Sequence, residues 1–295
     1  MSMDAVITYV NGADPVWQKS FETYAGVPAV TKHYRDWGTL KYLLRGIETH
    51  LPFIRNVYLV VSGESQVPAW ADREGLHVVL HEDIIPREFL PVFNSTAIEM
   101  FLPRIEGLDE EILYFNDDFF PVSDCRPEDF FEDGKAFIKF SRHLIARGMY
   151  KKHVRNSDNL VRSASGRRPA LFFLRPRHSC YPMLLSESKA LFALREQEIL
   201  SSVTRIRDRK NFNGGIYQDW LYYRGKTGPV RVSGKYFSLA LHTAEEVAPY
   251  ILSPKSQFVC INDVRLDEDT FRRYRDCLTA AFEKKFPNPS RFERK

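Results

Sequence analysis

Short, continuous apolar runs punctuate the chain at a spacing that suits buried strands. Residues 5–10, 57–61 (VYLVV), 76–80, 112–115 and 136–140 each read as a strand. Their continuity, rather than strict alternation, predicts cover on both faces. Between the first two runs, residues 39–50 place Leu40, Leu43, Leu44 and Ile47 at helical spacing and stop before Pro52. Residues 189–200 are helical in composition. Residues 267–286 carry Phe271, Tyr274, Leu278, Phe282 and Phe286 on one stripe, ended by Pro287. Strand, helix, strand at this rhythm predicts βαβ units and an α/β fold with a mostly parallel open sheet flanked by helices. Periodicity is weak over 149–168, which reads as a loop or partly helical insertion. The division expected is one α/β catalytic domain over 1–295, with 141–177 as a basic insertion or lid. A second domain could begin after residue 140, but no linker marks it.

With 295 residues, 44% of them apolar and 14% aromatic, the chain can build a real core and is not disordered. Its net charge is only +4, which does not suggest a general nucleic-acid binder, and no nucleic-acid partner is expected. The charge is unevenly spread, however. Residues 82–133 hold fifteen acids against three bases, and residues 142–177 hold ten Lys or Arg against one acid, Asp158. No signal peptide is evident in MSMDAVITYV, and no window of about 18 uncharged apolar residues suggests a membrane span. Cys125, Cys180, Cys260 and Cys277 form no CxxC pair and read as scattered thiols of a reducing compartment, so a cytoplasmic location is expected.

Four groups of residues carry candidate chemistry. The first strand runs into Tyr9, Asn11, Gly12, Asp14 and Pro15, at the strand end where α/β proteins collect ligands. A turn capped by Asn11 or Asp14 is the simpler reading of the same residues. It is neither a GxGxxG nor a Walker A loop. The second group is Asn116-Asp117-Asp118, delivered by the run 112–115. Adjacent carboxylates resist burial unless something positive neutralises them, and Mg²⁺ bridging carboxylates to phosphate oxygens does so. The third is basic: His143, Lys151, Lys152, His153 and Arg155, then His178, then Arg205, Arg207, Arg209 and Lys210. Arginine suits phosphate and histidine suits proton transfer near neutral pH, although each residue singly is also an ordinary surface or structural group. The fourth, ending in Asn262-Asp263, echoes the NDD pattern and could bring a carboxylate to the same mouth or form an Asx turn.

Taken in order, these segments resemble the Stealth family, which includes bacterial capsular polysaccharide hexose-1-phosphate transferases and the catalytic part of the animal lysosomal-enzyme N-acetylglucosamine-1-phosphotransferase. The likeness rests on DAVITYVNGADPVW at 4–17, RDWGTLKYLLR at 35–45, and then HED at 81–83, LPVFNS at 90–95, IE at 98–99 and YFNDD at 114–118. It continues with His178 and Tyr181-Pro182, the basic run around Arg207, and CIND at 260–263. Two departures stand out: Asn11 replaces the Asp of the family's WVDG turn, and Thr96 replaces its histidine after Ser95.

The resemblance implies a nucleotide-sugar-transferase-like fold. It also implies transfer of sugar-1-phosphate from a UDP-sugar, such as a UDP-N-acetylhexosamine, to an oligosaccharide or polysaccharide hydroxyl with release of UMP. Asp117 and Asp118, helped by Asp14, would hold Mg²⁺ or Mn²⁺. Arg207 would balance phosphoryl charge, and His178 would act as general base. Asn116 and Asn94 would bind the donor, and Asp263 would orient His178 or the metal. Asn11 and Gly12 would shape the donor turn, and Arg35 and Asp36 would position the nucleotide unless they form a structural ion pair. Peripheral association with membrane capsule machinery, at the inner face of the cytoplasmic membrane, is a further expectation. A metal-dependent glycosyltransferase releasing UDP, or a non-catalytic glycan- or phosphate-binding protein, are the competing readings.

Overall fold

The computed structural model describes residues 2–28 and 34–294. Among these residues the strands are β1 (Met3–Thr8), β2 (Ile54–Val61), β3 (His77–Leu80), β4 (Glu111–Asn116), β5 (Phe119–Pro121), β6 (Phe131–Glu132) and β7 (Lys135–Phe137). They continue with β8 (Phe140–His143), β9 (Phe173–Pro176), β10 (Tyr181–Leu184), β11 (Thr227–Gly228), β12 (Gly234–Ser238) and β13 (Phe258–Asn262). The α-helices are α1 (Pro15–Ala25), α2 (Leu40–His50), α3 (His81–Ile84), α4 (Ser95–Met100) and α5 (Gly148–Ala164). After them come α6 (Leu185–Leu194), α7 (Glu196–Ser202), α8 (Gly215–Tyr223), α9 (Ala244–Leu252) and α10 (Glu268–Lys285).

The largest sheet has the order β10-β4-β1-β2-β3 and is mixed, mostly parallel and flanked by helices, as the strand–helix rhythm predicts. Unbroken burial along β1 and β4 matches their continuous apolar sequence. β10 lies antiparallel to β4, with Tyr181 opposite Tyr114. No helix among the described residues is long and apolar enough to cross a membrane.

Two expectations need correcting. The run 136–140 is not one strand: β7 ends at Phe137 and pairs with β6 and β11, whereas β8 starts at Phe140 and pairs with β9. The helix expected over 189–200 breaks at Arg195, where φ −129° and ψ 30° leave the helical region. The weakly periodic stretch 149–168 is largely the 17-residue helix α5.

Contacts divide the chain into two compact units. One comprises 1–4, 79–114 and 128–231, and the other 5–78, 115–127 and 232–295. In the first, α5 packs on α8 and β9. A buried polar layer lies within it: Tyr223 Oη donates to Asp158 Oδ1 at 2.5 Å and Arg162 Nε to Asp158 Oδ2 at 2.7 Å. Asp219 is fully buried, with no hydrogen-bond partner for either carboxylate oxygen among the described residues. Burial, reinforced by the Asp158 charge, drives its carboxyl well above the usual range. The folded state therefore binds a proton that the unfolded state has lost, and stability falls as pH rises from the ordinary aspartate pKa through the folded one. Each unit within that window costs about 1.4 kcal/mol. Asp219→Asn is accordingly expected to raise the melting temperature at pH 8 and to bring progressively less gain toward pH 4; thermal scans across pH check the slope.

In the second unit, α10 buries Phe271, Tyr274, Leu278, Ala281 and Phe282, the expected stripe. Phe282 stacks on Tyr42 of α2 at 5.6 Å and meets Phe120 at 4.5 Å. Below the helix, Arg45 grips Glu293 in a two-pronged pair at 2.8 and 2.7 Å and donates to the Phe286 carbonyl at 2.7 Å. Both side chains are under one-tenth exposed. Arg45→Ala would strand the Glu293 carboxylate, so a loss of about 3–5 kcal/mol is expected in urea unfolding.

Candidate active site

The second unit gathers the acidic residues. β5 pairs antiparallel with β13, placing Phe119 opposite Cys260. This pairing carries the turn Asp117-Asp118 to the end of the Cys260–Asp263 segment. The Ile261 amide donates to the Asp118 carbonyl at 3.0 Å, and the Cys260 thiol donates to Asp118 Oδ2 at 3.4 Å. The second and fourth sequence groups therefore form one cluster, which Asp36 joins. Burial raises the Asp117 carboxyl to about 7, and the charges of Asp118, Asp36 and Asp263 add to the rise. Burial also raises Asp263. Burial pushes up the Tyr9 hydroxyl just after the first strand, and Asp36, with Asp117 behind it, adds to the rise. Four carboxylates with so few cations beside them form a strongly negative set of hard oxygen donors, which suits Mg²⁺ or Mn²⁺.

Around this cluster the first turn is rigidly built. Asp14 caps α1, accepting from the Val16 and Trp17 amides at 3.0 and 3.4 Å, and also accepts from Ser65 Oγ at 2.6 Å and Gln66 Nε2 at 2.7 Å. Burial opposes its ionisation, but these four donors outweigh it and hold the carboxyl below its ordinary range. Both oxygens thus accept hydrogen bonds within the protein, and Asp14 serves as the α1 cap that the simpler reading of this turn expects. Asn11 closes an Asx turn on the Ala13 amide at 2.9 Å, while its backbone is clamped from both sides by the Gln66 amide at 2.6 and 3.0 Å. Gly12 donates to the Tyr34 carbonyl at 2.7 Å, and a Cβ there would collide with that oxygen. Gly38 holds φ +67° next to Asp36, whose Oδ1 accepts from the Gly38 amide at 2.8 Å.

Arg35 does not pair with Asp36. Its guanidinium stacks 4.4 Å over Phe271, donates to the Leu266 carbonyl at 3.2 Å and meets Glu268 at 3.5 Å. Its NH1 is buried without a hydrogen-bond partner among the described residues, so it keeps donor capacity for an anion. Asn116 ends β4, directly before the two aspartates.

The first unit holds the basic candidates. His178 Nδ1 lies 3.0 Å from Tyr181 Oη, at the start of β10. Tyr181 stacks on Tyr114, whose hydroxyl donates to Glu99 Oε1 at 3.4 Å. Glu99 Oε2 accepts from the Gly214 amide at 2.6 Å. Burial raises this carboxyl, and the positive charges of Arg207 and His178 draw it back down. Arg207 reaches Ser95 Oγ at 2.7 Å from an exposed loop. Arg205 instead donates to the Phe89 and Glu88 carbonyls, at 3.2 and 3.0 Å, and is a structural tie.

Residues 33–138 match Stealth protein CR2, conserved region 2. The receptor polysaccharide phosphotransferase WefC of Streptococcus oralis is 30% identical over 334 aligned positions, spanning 99% of this chain and 99% of that protein. The chain belongs to the Stealth family. It is a transferase enzyme. The capsular polysaccharide phosphotransferase WcwK of Streptococcus pneumoniae is likewise 30% identical, over 99% of both chains. Among solved structures, the galactosyltransferase LgtC shares 12% identity at a TM-score of 0.39, over 94% of this chain and 96% of that one.

In this Stealth-family member Asn94, which the resemblance places at the donor, makes its hydrogen bonds within the protein. Asn94 is fully buried. Its Oδ1 accepts from the Thr96 amide and hydroxyl at 3.2 and 2.8 Å, and its Nδ2 donates to the Thr204 carbonyl and Asn211 Oδ1 at 3.1 and 3.0 Å. With its amide fully used, Asn94 caps α4 and anchors the loop that carries Arg207. Two residues with no role expected from sequence emerge: Gln66, the clamp on the first turn, and Glu99. Ile98-Glu99 lay inside a recognised segment, but a solitary carboxyl in an apolar helix gives no sign of its partners.

Proposed function

We propose that this transferase moves a sugar-1-phosphate, foremost an N-acetylhexosamine-1-phosphate, from a UDP-sugar to a hydroxyl of an oligosaccharide or polysaccharide acceptor in the synthesis of capsular or other cell-surface polysaccharide. The relatives' names support phosphotransfer to a polysaccharide. The observation that carries the reading is the set of carboxylates packed around Asp117, which calls for a cation of the kind a diphosphate donor brings. Asp117 and Asp118 would hold Mg²⁺ or Mn²⁺, with Asp36 and Asp263 completing the negative field. When bound, the cation neutralises diphosphate oxygens and stabilises departing UMP.

The acceptor oxygen attacks the β-phosphorus of the UDP-sugar. The bond from that phosphorus to the oxygen bridging to UMP breaks, and UMP leaves with the electron pair. The sugar's own C1–O bond stays intact, so the product is a phosphodiester. His178 takes the acceptor's hydroxyl proton, its ring oriented through Nδ1 by Tyr181. Arg207 offsets negative charge on the transferred phosphoryl group. Arg35 supplies its unpartnered NH1 to the donor, and Asn116 hydrogen-bonds donor groups. The Asn11-Gly12 turn shapes the donor's bed from the backbone.

Incubation with a panel of UDP-sugars and oligosaccharide acceptors tests the reaction through nucleotide release and product mass. UMP together with a product retaining one phosphate supports it. Release of UDP overturns it in favour of an ordinary glycosyltransferase, and no turnover across the panel favours a binding protein.

A further inference from the structure

The basic half of the chain leaves a surface that the catalytic reading does not use. β8 and β9 pair antiparallel, with His143 opposite Phe173 as their final pair. Leu144 and Ile145 directly follow β8, and Leu171 and Phe172 directly precede β9, so all four lie beyond the same end of the ladder. They are 55%, 61%, 77% and 48% exposed, an unusual cost for a cluster of large apolar side chains. Exposed Arg142, Arg147 and Arg168 flank them, and none of the three forms an ion pair among the described residues. The one acid of the stretch 142–177, Asp158, is buried and already held by Arg162 and Tyr223. The flank therefore carries uncompensated positive charge around an apolar tip.

We propose that this end of the β8–β9 ladder docks the enzyme on an anionic lipid surface, with Leu144, Ile145, Leu171 and Phe172 entering the headgroup–acyl boundary and the arginines facing lipid phosphates. The combination selects this occupant. An acidic polysaccharide would satisfy the arginines but leave four apolar side chains in water, and an apolar protein groove would satisfy the side chains but leave the charges unmatched. A bilayer interface of negative phospholipids meets both demands. The inference stands on residues outside the proposed catalytic set and does not depend on the reaction chemistry.

Co-sedimentation of the intact protein with vesicles tests it, using phosphatidylcholine alone and phosphatidylcholine containing phosphatidylglycerol. Stronger partition onto the phosphatidylglycerol vesicles is expected, weakening as salt rises. Arg147→Gln with Arg168→Gln should reduce that partition about 25-fold, at about fivefold per charge. Leu171→Ser with Phe172→Ser should abolish the fraction that persists at about 0.5 M salt, where the Debye length shrinks to roughly 4 Å and the charges are screened. All four substitutions are at exposed positions, and unchanged melting temperature and unchanged donor turnover will show that the fold is intact. Equal binding to neutral and anionic vesicles, or variants that partition like the parent, would overturn the proposal. So would variants that keep vesicle binding but lose retention on an acidic polysaccharide, since that assigns the patch to a glycan.

Discussion

Asp118→Asn is expected to lower turnover by about a thousandfold or more while the protein stays folded. A metal–carboxylate contact that stabilises a developing charge contributes several kcal/mol, and about 4 kcal/mol is a factor of a thousand. The substitution keeps the size of the side chain and removes one negative charge from a crowded set, so the fold itself should gain rather than lose. It also makes a second, independent prediction. Asp118 is the foremost charged cause of the raised Asp117 carboxyl, so Asp117 should titrate below about 7 in the variant, read by carboxyl-carbon NMR. In the parent protein without metal, Asp117 binds a proton more tightly folded than unfolded, so stability declines as pH rises toward 7. A divalent cation reverses this by binding the ionised form. The melting-temperature gain on adding Mg²⁺ should therefore grow from pH 6 to pH 8, and a gain independent of pH would remove Asp117 from the metal site.

His178→Ala is the second large effect, expected at about 10²–10⁴-fold in kcat/KM. A general base works deprotonated, so activity in the parent should climb with pH along an ascending limb that the variant lacks. Tyr181→Phe removes only the partner of Nδ1, leaving the imidazole in place. A smaller loss with the limb retained is expected there. If the alanine variant keeps the same limb as the parent, another residue accepts the proton and His178 does not.

The parts of the site that local sequence can announce were legible. An apolar strand ending in Asn116-Asp117-Asp118 advertises carboxylates at a strand end, and the same grammar repeats at Asn262-Asp263. What joins them, the pairing of β5 with β13, links residues some 140 positions apart in the chain through a three-residue strand that carries no pattern of its own. Asn94 is illegible for a related reason: an asparagine in such a motif looks the same in sequence whether its amide meets a ligand or its own loop. The helix α5 read only as a loop or partly helical insertion because three of its buried positions, His153, Ser157 and Asp158, are polar and held by Asp208, Asn213 and Tyr223, which leaves just Val154 and Val161 as apolar signal. Apolar periodicity measures burial only where burial is apolar. Asp14 shows the converse, since capping at the start of α1 was readable as the simpler alternative and is what its four donors enforce.

The division into two units is written into the chain in alternation: each unit takes three separate stretches of sequence, and the last of the second unit runs to residue 295. No single contiguous fragment can therefore make either unit whole. During synthesis, Ala5–Val78 must wait for the segments 115–127 and 232–295 before their partners exist, so the contacts that complete that unit form late. Such non-local closure favours slow, all-or-none maturation over stepwise folding from the N-terminus. Splitting the gene at residue 140 would hand each product a fraction of two cores.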